Sequence, residues 1–128
     1  MLSATVMLGA SAEMLLLDLC DAYKNYLDKQ DDATKADAFE KKVVKARCAH
    51  DRLTEFLKRA NADKEHFMNL GFEDINMNFN FFDIIRQTRN NSGHPTGNNI
   101  TVEQFKMILT SYQHFLPIVL KAIKELNK

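Results

Sequence analysis

The sequence predicts an all-α protein, an up-and-down bundle of four main helices, and three observations carry that prediction. Only four Gly and two Pro occur in 128 residues, far fewer turn-formers than a sandwich or barrel needs. Apolar residues recur at helical spacing over long stretches. The connections between those stretches are short, which favours antiparallel neighbours. A length of 128 residues suits one domain with one core, so residues 1–128 are read as a single domain.

The first helix is expected from Ser3 to about Leu27. Val6, Met7, Leu8, Met14, Leu15, Leu16, Leu17 and Leu19 leave almost no polar arc in its first half. A helix that is apolar on every side needs cover on every side, from a central position in the bundle or from a second chain. "DKQDDATKADA" then breaks the pattern, and Asp31 or Asp32 can cap the next helix. That second helix is expected from Thr34 to about Ala60, with Phe39, Val43, Ala46, His50, Leu53 and Leu57 forming one core-facing stripe. "NADKEHFMNLGFED" reads as a connection with a short helical turn at Lys64 to Leu70.

The third helix is expected from Asp74 to about Asn90. At about 100° per residue, Gln87, Asn76, Asp83 and Asn80 fall in one narrow polar arc. Arg86 and Arg89 do not join it; they point with Ile75, Phe79 and Phe82. Guanidinium groups on the apolar side of a helix need partners. The last helix opens at Thr101, with Gln104 placed to complete a capping box, and runs to about Leu126 with a kink expected from Pro117.

Composition narrows the function. Hydrophobic residues make up 45% and charged residues 27%, which excludes a wholly disordered chain. Lys+Arg and Asp+Glu both number 17, so broad attraction to nucleic-acid phosphates is excluded and any such contact must be local. Cys20 and Cys48 have no partner at metal-ligand spacing, and each reads as a small buried hydrophobe in a reducing cell. No metal or cofactor is expected. "MLSATVMLGASA" lacks the basic start of a signal peptide, since no Lys or Arg precedes Lys24, and no apolar run reaches membrane-spanning length. These features predict a cytoplasmic protein without a membrane segment.

The strongest constellation is Arg89-Asn90-Asn91-Ser92-Gly93-His94. Gly93 permits a tight turn, and Pro95 fixes the chain after His94, so the imidazole can return toward Arg89. A guanidinium beside an imidazole suits phosphodiester chemistry. The Arg forks onto phosphoryl oxygens and stabilises the added charge of the transition state. The His, titrating near neutrality, moves protons to or from a ribose oxygen. The same residues are also ordinary turn-formers, and that plainer reading stays open beside the chemical one.

Arg, then a polar residue, then His within four to six positions of the Arg resembles the signature of the HEPN (higher eukaryotes and prokaryotes nucleotide-binding) domains. The "HPTG" continuation and the early "VMLGASAEMLLLDL" helix also resemble bacterial members. One departure from the family pattern is a leading helix that is short or missing at Met1. The resemblance implies a metal-independent endoribonuclease acting as a homodimer, with Arg and His from both subunits forming a composite site. It implies that Arg89 stabilises the transition state, that Asn90 orients Arg89 or His94, and that His94 deprotonates the 2′-hydroxyl to leave a 2′,3′-cyclic phosphate. It also implies a toxin or phage-defence setting, with an antitoxin or defence-system protein as a further partner. The alternative is a non-catalytic dimerisation or RNA-binding module of the same fold.

Arg86, Asn91 and Asn98 are candidate substrate contacts. For Arg86 the preferred reading is an ion pair with Glu13, whose carboxylate lies in the apolar half of the first helix and is costly there unless paired. His50 is expected in the core or at an interface, and His66 and His114 toward solvent. Lys41, Lys42, Lys45 and Arg47 read as a solvated face. Tyr23, Tyr26 and Tyr112 read as surface or core aromatics.

Overall fold

The computed structural model describes residues 2–30, 33–92 and 101–128, with residues 2, 3 and 89–92 described as backbone only. Among the described residues there are six α-helices, one π-helical turn and no strand. α1 spans Leu2–Lys29, α2 Ala33–Phe39, the π turn Glu40–Val44, α3 Ala49–Ala62, α4 Lys64–Asn69, α5 Ile75–Ser92 and α6 Val102–Leu126.

α1 is the central helix. It packs against α5 and α6 along its length and against α2, the π turn and α3 on a further side. Its wide apolar arc is used accordingly: Leu8, Ala12, Leu15, Leu16, Leu19, Cys20, Tyr23 and Leu27 are all buried. One strip stays in solvent, where Val6, Met7 and Met14 are exposed.

The expected second helix is not one rod. It folds into a hairpin, with α2 and the π turn as one arm and α3 as the other. Lys45 leaves helical geometry at φ −94° and ψ 16°, and Cys48 is extended at φ −144° and ψ 165°. The arms lie antiparallel, with Lys35 and Ala38 facing Lys58 and Ala62 across a groove. The physical reason is aromatic burial. In a straight helix Phe39 and Phe56 would lie about 25 Å apart. The reversal brings their rings to 6.1 Å, and both meet the ring of Tyr23. The Arg52 Nη2 donates to the Ala46 carbonyl at 3.2 Å and satisfies an acceptor left open by the break. The inward face of α3 therefore becomes Leu53, Phe56 and Ala60; Leu57 is half-buried, and His50, expected inside, is exposed.

α4 ends in a Schellman turn. Phe72 N–H donates to the Phe67 carbonyl at 3.2 Å and Gly71 N–H to that of Met68 at 3.1 Å. Gly71 holds φ +115°, a conformation that side chains disfavour. The turn aims the chain into α5, which Asp74 caps through its Oδ1, accepting from Met77 N–H at 3.1 Å. α5 buries Ile75, Phe79, Phe82 and Ile85, and Phe79 joins Phe56, Phe67, Phe72 and Phe115 in a ring cluster that links four helices. α6 opens with the expected capping box: Gln104 N–H donates to Thr101 Oγ1 at 3.1 Å, and Thr101 N–H to Gln104 Oε1 at 3.0 Å. Its second half is anchored by Phe115, Val119, Ala122 and Leu126.

Two side-chain expectations change. Cys20 is buried but Cys48, in the hairpin bend, is exposed. His66 is not solvated: it stacks on Tyr26 at 4.3 Å, and its Nε2 is buried. His114 is exposed, as expected. Among the described residues no helix is long and apolar enough to cross a membrane.

Candidate functional site

The site begins with the face of α5. Ile75, Phe79, Phe82 and Ile85 bury one stripe, and Arg86 extends that stripe toward the helix end, its side chain only 22% exposed. Its guanidinium turns to its own helix. Nε donates to Asp83 Oδ1 at 3.1 Å, and Nη2 to the same oxygen at 2.8 Å. Asp83 Oδ2 accepts from Gln87 Nε2 at 2.6 Å, and His50 Nδ1 stands 3.9 Å from Oδ1. Asp83 is thus the hub of a small polar group joining α5 to the start of α3. Periodicity alone did not show this role, because it put Asp83 and Arg86 on different arcs. The i,i+3 spacing is the signal that could have found it.

Glu13, the expected partner of Arg86, is half-buried on α1 directly across from it. Both side chains line one cavity of about 10 Å³, otherwise walled by apolar groups including Ala12, Leu53, Phe82 and Ile85. The two residues thus share a cavity wall, but the ion pair that Arg86 makes is with Asp83 on its own helix rather than with the expected Glu13.

Beyond Arg86 the helix runs further than expected. α5 continues through Ser92, so Asn91 and Ser92, beyond the expected end at Asn90, belong to its last turn. The backbone places Arg89 one turn after Arg86. His94 and Asn98 lie outside the described residues, so the Arg89–His94 pairing has no geometry here. What the structure brings together is Arg86, Asp83 and Gln87, with His50 beside them and Glu13 across the cavity wall.

Arg86 and Asp83 are each about a fifth exposed, so their pair is partly screened by solvent and is worth on the order of 1 kcal/mol. Its chemical consequence is to fix the guanidinium on the α5 face and hold it near the helix end that carries Arg89. No protein-family model matches this chain, and no curated protein or solved structure matches it.

Proposed function

We propose that the protein is a cytoplasmic, metal-independent endoribonuclease of the HEPN type, working as a homodimer. Arg89 of each subunit stabilises the charge of the phosphorane-like transition state. His94 removes the 2′-hydroxyl proton, and the freed oxygen attacks the adjacent phosphorus. The 5′-oxygen leaves and takes a proton, and a 2′,3′-cyclic phosphate remains. Asn90 orients this pair, while Asn91 and Asn98 contact the RNA. The observation that carries the reading is the arginine-bearing end of α5. It is a helix whose buried stripe passes into Arg86, with Arg89 and Asn90 one turn further, and His94 follows two positions later in the sequence than Ser92. A toxin or defence role with an antitoxin partner accords with such an activity.

A second reading is favoured by one observation. Arg86 is held by Asp83 inside its own helix, as befits a face kept for packing or binding rather than chemistry. The test separates the two. Structured and unstructured RNA is incubated with wild type, Arg89→Ala and His94→Ala in EDTA. The ribonuclease reading expects cleavage by wild type alone, cyclic phosphate ends, and melting temperatures within a few degrees of one another. No cleavage of any RNA, together with marked destabilisation by Arg89→Ala, establishes the non-catalytic module.

A further inference from the structure

The reversal of the chain at residues 45–48 creates a groove between α2 with its π turn and α3, with a volume of about 290 Å³. That is near the lower end of small-ligand sites, which run roughly 300–1,000 Å³. Four cations line it, Lys35, Lys42, Lys58 and Arg59, against one carboxylate, Glu55. In a chain with 17 basic and 17 acidic residues this is a local concentration of positive charge. The floor is apolar, made by Phe39, Val43 and Ala62.

The cations are not all occupied by the protein. Lys58 pairs with Glu55 at 3.2 Å, and Lys35 has a partner of its own. Among the described residues Lys42 makes no ion pair or hydrogen bond. Arg59 Nε is buried and has no hydrogen-bond acceptor. That nitrogen is closed to solvent, so an anion entering the groove meets the half-exposed remainder of the Arg59 side chain that lines it. The guanidinium is also held in place, lying against the Tyr23 hydroxyl, which donates to Asp63 Oδ2 at 2.9 Å. A held guanidinium and an exposed ammonium lining the same groove match a phosphoryl group, which accepts a fork from Arg and a point charge from Lys.

We propose that this groove binds a small, nucleotide-sized organic phosphate, its phosphoryl group held by Arg59 and Lys42 and its carbon body lying on Phe39, Val43 and Ala62. The groove is separate from the Arg86 end of the molecule. On α3, Ala49 and Leu53 line the Arg86 cavity whereas Glu55, Lys58, Arg59 and Ala62 line the groove, so the two share no lining residue. The inference therefore stands whether or not the chain cuts RNA.

Adenosine 5′-monophosphate is the probe, titrated into the full chain and followed by amide chemical shifts, with adenosine and inorganic phosphate titrated in parallel. The expected result is saturable shifts at Ala38, Lys42, Val43 and Arg59, with each fragment binding at least about tenfold more weakly, the worth of one charge-assisted hydrogen bond. Lys42→Glu, at an exposed position, weakens the nucleotide by a similar factor and leaves the melting temperature unchanged. Arg59→Gln weakens it too, and Arg59→Lys recovers part of the loss. The proposal is overturned if the nucleotide gives no saturable shifts in the groove or binds no tighter than inorganic phosphate. It is equally overturned if Lys42→Glu leaves the affinity intact or if the shifts gather around Arg86.

Discussion

The two thiols sit in opposite surroundings. Cys20 faces the core of α1, where burial pushes its thiol up to about 12, while Cys48 stands exposed in the hairpin bend. A thiol-specific chromogenic reagent at pH 8 should therefore modify one cysteine quickly, Cys48, and reach Cys20 only under denaturant. Two fast equivalents in the native protein would refute this placement. The same burial gives stability a pH dependence. The Tyr23 hydroxyl is raised chiefly by burial and then by its hydrogen bond to Asp63, and Tyr26 and Tyr112 are raised by burial. Above about pH 9, the ordinary value for the thiol, the unfolded chain begins to lose protons that the folded chain keeps. The folded state then binds more protons than the unfolded state, so stability falls as pH rises. Urea midpoints should hold steady up to about pH 9 and decline from there toward pH 12, with a shallower decline in Cys20→Ala. A flat profile across that window would count against the buried thiol and phenol.

At the scale of elements, the reversal between α2 and α3 decides the packing, and a pair of substitutions measures it. Phe56 is fully buried among Tyr23, Phe39, Phe67 and Phe79, so Phe56→Ala should cost about 3–5 kcal/mol. Leu57, only half-buried, should cost less than about 2 kcal/mol, the lower edge for a buried leucine. A straight helix reverses that order, because its stripe includes Leu57 and leaves Phe56 outside. Chemical denaturation of the two variants distinguishes the registers. Local signals made several elements legible: the Thr101 and Gln104 capping box, the ends of α1 and α6, the α4 turn, and the arginine on the buried stripe of α5. The reversal was not legible, because Lys45, Ala46, Arg47 and Cys48 include no Gly or Pro and the apolar spacing continues across them. It is imposed by the gathering of Phe39 and Phe56 around Tyr23, a contact between residues distant in sequence. The basic groove was hidden for the same reason, since Lys42 and Arg59 become neighbours only when the chain folds back. Gly71 provides a contrasting case. Its φ of +115° is a backbone requirement, and an added Cβ would meet only Ile118 Cγ2 at an ordinary 3.6 Å. Gly71→Ala should thus destabilise by about 1–3 kcal/mol through backbone strain, and a loss near zero would show that the Schellman turn relaxes without cost.

For the whole molecule, the open question of cover falls on α1. It is central, with α5, α6, α2 and α3 around it, yet Met7 is 70% exposed and Met14 58% on the strip left uncovered. Val6 adds to that strip. α1 runs antiparallel to α5: Glu13 shares a cavity with Arg86, while Tyr23, further along α1, meets Phe56 and Phe67, the rings that pack on Phe79 earlier in α5, so the start of α1 lies toward the helix end that carries Arg89. Joining two such strips in the proposed homodimer removes the methionines from water, a gain of about 25 cal/mol for each Å² of apolar surface covered. It also draws the two Arg89-bearing ends toward each other, as a composite site requires. Met7→Glu combined with Met14→Glu introduces like charges where the partner would sit, without touching the buried face of α1. Sedimentation equilibrium at micromolar concentration should show the wild type as a dimer and the double variant as a monomer with the same helical content. If the site is composite, RNA cleavage should disappear with the dimer although Arg89 and His94 are intact. A double variant that stays dimeric would move the interface elsewhere on the molecule, and a monomeric variant that cuts RNA at the wild-type rate would show that each subunit carries a complete site.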